Sequence, residues 1–248
     1  MTSTPTNRPD GPGLPPADPE SGITVFCGSS PGHDRVYLEV ATCLARAIAK
    51  SGKTLVYGGG TMGLMGQVAK SALEANGKVH GIIPSAFLTH EAPDRASKLH
   101  PNEVETVCSS MHERKRMFAD RSNAFVGLPG GYGTCEELFE MTTWSQLGIH
   151  KKPVVLLNVN EFYTPLRQFI EGAISAGFIS PSNRNFLIFV DSPPPSTMPA
   201  GESVVSSFDW GEAALRAIEE WHRLGTGGAE PFKLDWNDQE QQDKSRYV

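Results

Sequence analysis

The chain has 248 residues, 39% of them hydrophobic and 20% charged, the make-up of a globular protein with room for one large α/β domain. A net charge of −6 and a pI of about 5.7 exclude a global basic surface, so no nucleic-acid partner is expected. No apolar run approaches the roughly 20 residues that span a bilayer, no signal-peptide pattern opens the chain, and Cys27, Cys43, Cys108 and Cys135 form neither a CxxC pair nor a zinc spacing, so the expectation is a cytoplasmic protein with reduced thiols, no metal and no membrane partner.

Residues 1–20, rich in Pro, Gly, Thr and Asp, read as a disordered tail. Residues 21–224 read as one domain. Ile23 to Gly28 is a short strand ending in the loop Gly28-Ser29-Ser30. Val36 to Lys50 carries Val36, Val40, Cys43, Leu44, Ala47 and Ile48, an apolar stripe at helical spacing. Thr54 to Tyr57 is a second strand, followed by Gly58-Gly59-Gly60 and a helix over Leu64 to Ala75, stopped at Asn76-Gly77. Val79 to Ile83 is a third strand.

Residues 85–106 are polar and irregular and read as a loop or lid. A helix over Met111 to Arg121 and a strand over Ala124 to Leu128 follow. A helix over Cys135 to Leu147 comes next, then the apolar strand Pro153 to Leu157, a helix over Phe162 to Ala176 and a last strand over Phe186 to Val190. Residues 191–208 form a Pro/Ser-rich loop, Trp210 to Leu224 a terminal helix, and residues 225–248 a polar tail in which Phe232, Leu234 and Trp236 are candidates to dock on the body. Strand–helix alternation with short loops predicts a doubly wound, Rossmann-like parallel sheet with helices on both faces. Ligands of such sheets bind outside the carboxyl ends of the strands. The three Gly-rich segments all follow strands and are expected to share one pocket there.

The densest signal is Leu128-Pro129-Gly130-Gly131-Tyr132-Gly133-Thr134-Cys135-Glu136-Glu137, a strand running through three glycines into a helix. Glycines let a ligand approach the main chain, and a helix start offers N–H groups to an anion. The sequence lacks the Gly-Lys-Ser/Thr of a P-loop. Gly58, Gly60 and Gly63 match a dinucleotide spacing, but after the second strand and without a suitably placed acid. Five glycines in Gly58 to Gly66 exceed what one turn requires and suit a phosphate or sugar. Glu137 has two readings. Thr134-x-x-Glu137 is a capping-box pattern, with Thr134 as cap and Glu137 reaching back to it; alternatively, Glu137 is a reactive carboxylate beside a phosphate cradle. Arg114, in Met111-His112-Glu113-Arg114-Lys115, offers a bidentate fork or belongs to a solvated basic face. His112 is an acid–base candidate or a surface residue.

Together these segments resemble the LONELY GUY family of cytokinin-activating phosphoribohydrolases. The resemblance rests on Pro129 to Glu137, on Met111 to Lys115, on Phe26 to Ser30, on Gly58 to Gly66 and on Thr143 to His150, and covers about residues 22–190. It implies a Rossmann-like homodimer, without cofactor, that hydrolyses the N-glycosidic bond of cytokinin riboside 5′-monophosphates to free base and ribose 5-phosphate. It implies Arg114 and Glu137 as the catalytic pair. It also implies Gly58, Gly59, Gly60, Gly130, Gly131, Gly133 and Thr134 around phosphate and ribose, Ser29 and Met111 lining the pocket, and Lys115 among the substrate-binding residues. Members are often labelled lysine decarboxylases, but no lysine context for pyridoxal phosphate is evident here. Two other readings stay open: a broader phosphoribohydrolase acting on plain AMP, and a non-catalytic nucleotide-binding protein. Residues 85–106 are the expected neighbours of the adenine N6 group.

Overall fold

The computed structural model describes residues 22–88, 99–193, 207–232 and 234. The expected tail over residues 1–20, most of the loop over 191–208, the middle of 85–106, and Trp236 lie outside the described residues. Seven parallel strands form one sheet in the order β4-β3-β2-β1-β5-β6-β7: β1 Gly22–Phe26, β2 Thr54–Tyr57, β3 Lys78–Pro84, β4 Glu103–Cys108, β5 Ser122–Gly127, β6 Val154–Leu157 and β7 Leu187–Val190. The helices are α1 Val36–Lys50, α2 Gly63–Glu74, α3 Met111–Arg121, α4 Tyr132–Gln146, α5 Thr164–Ser175 and α6 Trp210–Arg223.

The central strands are buried along their length, and their apolar residues divide between two cores. Ile23, Val25, Leu55 and Val126 face a core built with Leu44 and Ile48 of α1, Leu64 and Val68 of α2, and Trp210 and Ala214 of α6. Phe26, Val56, Phe125 and Leu156 face a second core with Phe118 of α3, Leu138 and Met141 of α4, and Ile170 of α5. Burial of both faces is why these strands read as continuous apolar runs.

Glu103–Cys108 corrects the reading of 85–106 as irregular. It is an edge strand, paired in parallel from Val79↔Glu103 to Pro84↔Cys108. Its polar residues hid it: most of this edge is only partly buried, so the sequence Glu-Val-Glu-Thr-Val-Cys carries little apolar signal. The polar tail begins with a docked segment. Ala229 is buried and the Phe232 N–H donates to the Gln146 carbonyl at the end of α4 (2.8 Å).

Strand order reverses between β1 and β5, where β1 has β2 on one side and β5 on the other. That switch point opens a crevice at the carboxyl ends of the strands. The loops after β1, β2 and β5 meet beside it.

Candidate active site

The three glycine loops are tied to one another by backbone hydrogen bonds. The Gly28 N–H donates to the Pro129 carbonyl (3.1 Å), the Leu128 N–H to Phe26 (2.9 Å), and the Leu64 N–H back to Gly28 (3.1 Å). The three loops expected to share one pocket are therefore joined into one structure. Ser29 is exposed on its rim, with its carbonyl packed against Gly63. Met111, at the start of α3, is 38% exposed.

The start of α4 differs from the capping-box reading. The helix begins at Tyr132, with Gly131 as its extended N-cap (φ −98°, ψ −150°). Thr134 is thus the third helical residue, not the cap. It is buried, with its hydroxyl against Gly130, where an added Cβ would lie 2.2 Å from Oγ1. Glu137 falls in the second turn, beyond reach of any capping role. A capping-box-like arrangement opens α3 instead, with the carboxylate reaching one residue beyond the cap. The Ser110 hydroxyl accepts from the Glu113 N–H (3.2 Å), while the Glu113 carboxylate accepts from the Ser109 N–H (2.7 Å) and hydroxyl (2.6 Å). Those bonds from Ser109 hold the Glu113 carboxyl below its ordinary range. His112 is exposed.

Arg114 is buried, 5% exposed. Its Nε donates to the Ile82 carbonyl of β3 (3.2 Å) and its Nη2 to the Gly58 carbonyl after β2 (2.9 Å), so the sheet fixes the guanidinium. Its Nη1 lies 3.7 Å from Glu137 Oε1. A Cβ on Gly58 would sit 2.4 Å from Arg114 Nη2. Gly58 is therefore required by the arginine, whatever it does for a ligand. Gly59 adopts φ +81°, and Gly60 makes room for Met65. Gly131 and Gly133 are different: a Cβ at either would meet nothing within 4 Å, and neither has a positive φ. The protein's own packing gives no reason for glycine at these two positions.

Burial, and then the Glu137 charge, push the Cys27 thiol well above its ordinary value. Lys115 turns from the crevice to Glu136 (2.6 Å) and Glu140 (2.7 Å). The site thus brings together Arg114, Glu137, Thr134 and the glycine loops, leaves Ser29 and Met111 on its rim, and engages Lys115 elsewhere. Tyr163 escaped sequence reasoning. It is buried after β6 and its hydroxyl donates to the Leu128 carbonyl (2.7 Å), bracing the strand end before Pro129. Asn158 Oδ1 in turn accepts the Tyr163 N–H (2.6 Å). An Asn closing an apolar strand reads only as a turn signal. Among the described residues, no group of three or more His, Cys, Asp or Glu can hold a metal ion, and no helix is long and apolar enough to cross a membrane.

The family described as "Possible lysine decarboxylase" matches residues 65–197. A cytokinin riboside 5′-monophosphate phosphoribohydrolase of Rhodococcoides fascians is 47% identical over 168 residues, covering 67% of this chain and 82% of that protein. One of Arabidopsis thaliana is 48% identical over 171 residues, covering 69% and 72%. The chain belongs to this phosphoribohydrolase family. Among solved structures, a Moco carrier protein from Chlamydomonas reinhardtii superimposes with a TM-score of 0.54 at 22% identity, covering 83% of this chain and 99% of that one. A molybdenum cofactor binding protein from Rippkaea orientalis gives 0.50 at 19%, covering 82% and 96%. These two share the fold alone. The two descriptions point to different chemistry, and the two named relatives carry the phosphoribohydrolase name.

Proposed function

We propose that this protein hydrolyses the N-glycosidic bond of cytokinin riboside 5′-monophosphates, releasing free cytokinin base and ribose 5-phosphate. The observation that carries the reading is the placement of Glu137. It lies in the second turn of α4, past that helix's own cap, and it faces a sheet-anchored Arg114 beside two glycines where a Cβ would meet no other atom. The names of the relatives support it.

Breaking the ribosyl–adenine bond builds positive charge on the sugar, the problem that glycoside hydrolases meet with carboxylates. Glu137 stabilises that charge and orients or deprotonates the attacking water, whose oxygen ends on the ribose. Arg114 fixes the substrate and the carboxylate. Gly130, Gly131, Gly133 and Thr134 at the start of α4 receive the phosphate, where N–H groups and the helix dipole favour an anion. Gly58, Gly59 and Gly60 close the opposite wall, and Ser29 and Met111 form the rim. Phosphate binding away from the reacting bond is spent on orientation, so a bare riboside reacts poorly.

A homodimer is part of the proposal. The apolar side chains that α3 and α4 expose, Met111, Tyr132 (97%) and Phe139 (37%), support it, and light scattering in solution tests it. The function itself is tested by incubating the protein with isopentenyladenosine 5′-monophosphate and separating the products. Release of isopentenyladenine and ribose 5-phosphate is expected, faster than adenine from AMP. Equal rates remove the cytokinin preference, and binding without release favours a nucleotide-binding protein.

A further inference from the structure

Lys115 follows Arg114 along α3 but meets a different set of groups. Its ammonium lies between Glu136 Oε1 and Glu140 Oε2, two carboxylates one turn apart on α4, with the lysine side chain 10% exposed. The three groups together carry one net negative charge. A phosphate dianion arriving there meets repulsion, not attraction. Turning the lysine toward a ligand also strands Glu140, whose side chain is only 25% exposed, without its counter-ion.

What the contact does is fix one helix against another. Arg114 is anchored to the sheet through the carbonyls of Ile82 and Gly58. Glu137 approaches it at 3.7 Å, a looser contact than the two that Lys115 makes. The carboxylate's position therefore depends on the rotation and axial register of α4. Glu136 and Glu140 flank Glu137 in sequence, and a cation gripping both sets rotation and register together.

We infer that Lys115 is a positioning residue. Through Glu136 and Glu140 it holds the helix bearing Glu137 in register with Arg114, and it is not a ligand of the nucleotide's phosphate. The inference rests on the reading of Glu137 as the reacting carboxylate.

The test uses Lys115→Met, Lys115→Arg, Glu140→Gln and the Lys115→Met/Glu140→Gln double variant of the full chain. Turnover, inhibition by ribose 5-phosphate and thermal unfolding are measured for each. Lys115→Met is expected to lower kcat by about 10²-fold, the order of loss that a misplacement near 1 Å produces. Its KM and its ribose 5-phosphate inhibition constant stay near wild type. Glu140→Gln lowers kcat in the same direction, Lys115→Arg recovers most of the loss, and the double variant is no worse than Lys115→Met alone. A tenfold weakening of ribose 5-phosphate in Lys115→Met, with Glu140→Gln unaffected, overturns the inference and makes Lys115 a phosphate ligand. Unchanged kcat in both single variants also overturns it. If the wild-type protein releases no base, the hydrolase reading fails by itself. Ribose 5-phosphate affinity and the unfolding cycle then still separate a clamp from a phosphate ligand.

Discussion

At the scale of the residue, the proposed chemistry rests on Glu137 and the glycines of the α4 loop. Glu137→Gln keeps size and hydrogen-bonding capacity and removes the charge. The substitution also leaves the buried Arg114 without its counter-charge, so the thermal midpoint should fall, while turnover of the folded variant falls by about 10²–10⁴-fold, the span for loss of a general base. Preserved turnover sinks the catalytic role. Gly133→Ala separates ligand contact from packing. The new methyl meets no protein atom, so stability should hold or rise by up to about 1 kcal/mol as a helix loses a glycine. The KM for the nucleotide should rise about tenfold, equivalent to about 1.4 kcal/mol of binding. An unchanged KM would show that no ligand approaches this backbone. Gly58 is the contrast: its alanine variant drives a Cβ into the Arg114 guanidinium and should lose stability and activity together.

At the scale of the element, strand ends and helix starts position these residues, and supports from elsewhere hold them. Tyr163, from the segment after β6, donates to the carbonyl that precedes Pro129. Burial pushes its phenol above its ordinary range, so it remains a donor across the working pH range. Tyr163→Phe removes the donor and leaves a buried carbonyl unpaired, which should cost about 1–3 kcal/mol in denaturant unfolding and loosen the glycine loop. A wild-type unfolding curve would mean that Leu128 needs no such brace. The elements themselves were largely legible. An apolar stripe marked α1, the Asn76-Gly77 stop closed α2, and an apolar run of the kind buried on both faces marked β6. The failures share a cause, which is that local pattern cannot see what pays for a conformation in three dimensions. Edge strand β4 is held by backbone pairing to β3 with few apolar side chains of its own. Helix α4 starts three residues early because the Gly130-Gly131 turn is already closed against the loop of β1.

At the scale of the whole molecule, two buried histidines couple folding to pH. His80 on β3 bonds Thr106 Oγ1 through Nε2 (2.8 Å), and burial followed by the Arg121 charge lowers it to about 4. His150 packs against Phe125 and Trp144, and burial followed by the Lys152 charge lowers it to about 3. Both start from 6.5 in the unfolded chain. As pH falls below that value, the unfolded state takes up protons that the native state refuses. Stability present at neutral pH is therefore lost progressively, until the folded groups also titrate. The denaturant midpoint should fall between pH 7 and 4.5, and a His80→Gln/His150→Gln double variant should remove most of that slope. A slope that persists in the double variant would assign it to other groups.

The sequence by itself determined the α/β alternation, the parallel sheet and the segments that reach the site. Those depend on hydrophobic period and on glycine placement, which are local properties of a chain. Only the tertiary structure decided that Thr134 and Glu137 form no capping box, what Gly58 makes room for and where Lys115 turns. It also decided that the strand order reverses between β1 and β5. Each of these depends on atoms far apart in sequence: Arg114 meets Gly58 and Ile82, and Lys115 meets Glu136 and Glu140, across the gap between packed elements. No spacing along the chain encodes such distances, because they arise only when the two cores close on either face of the sheet.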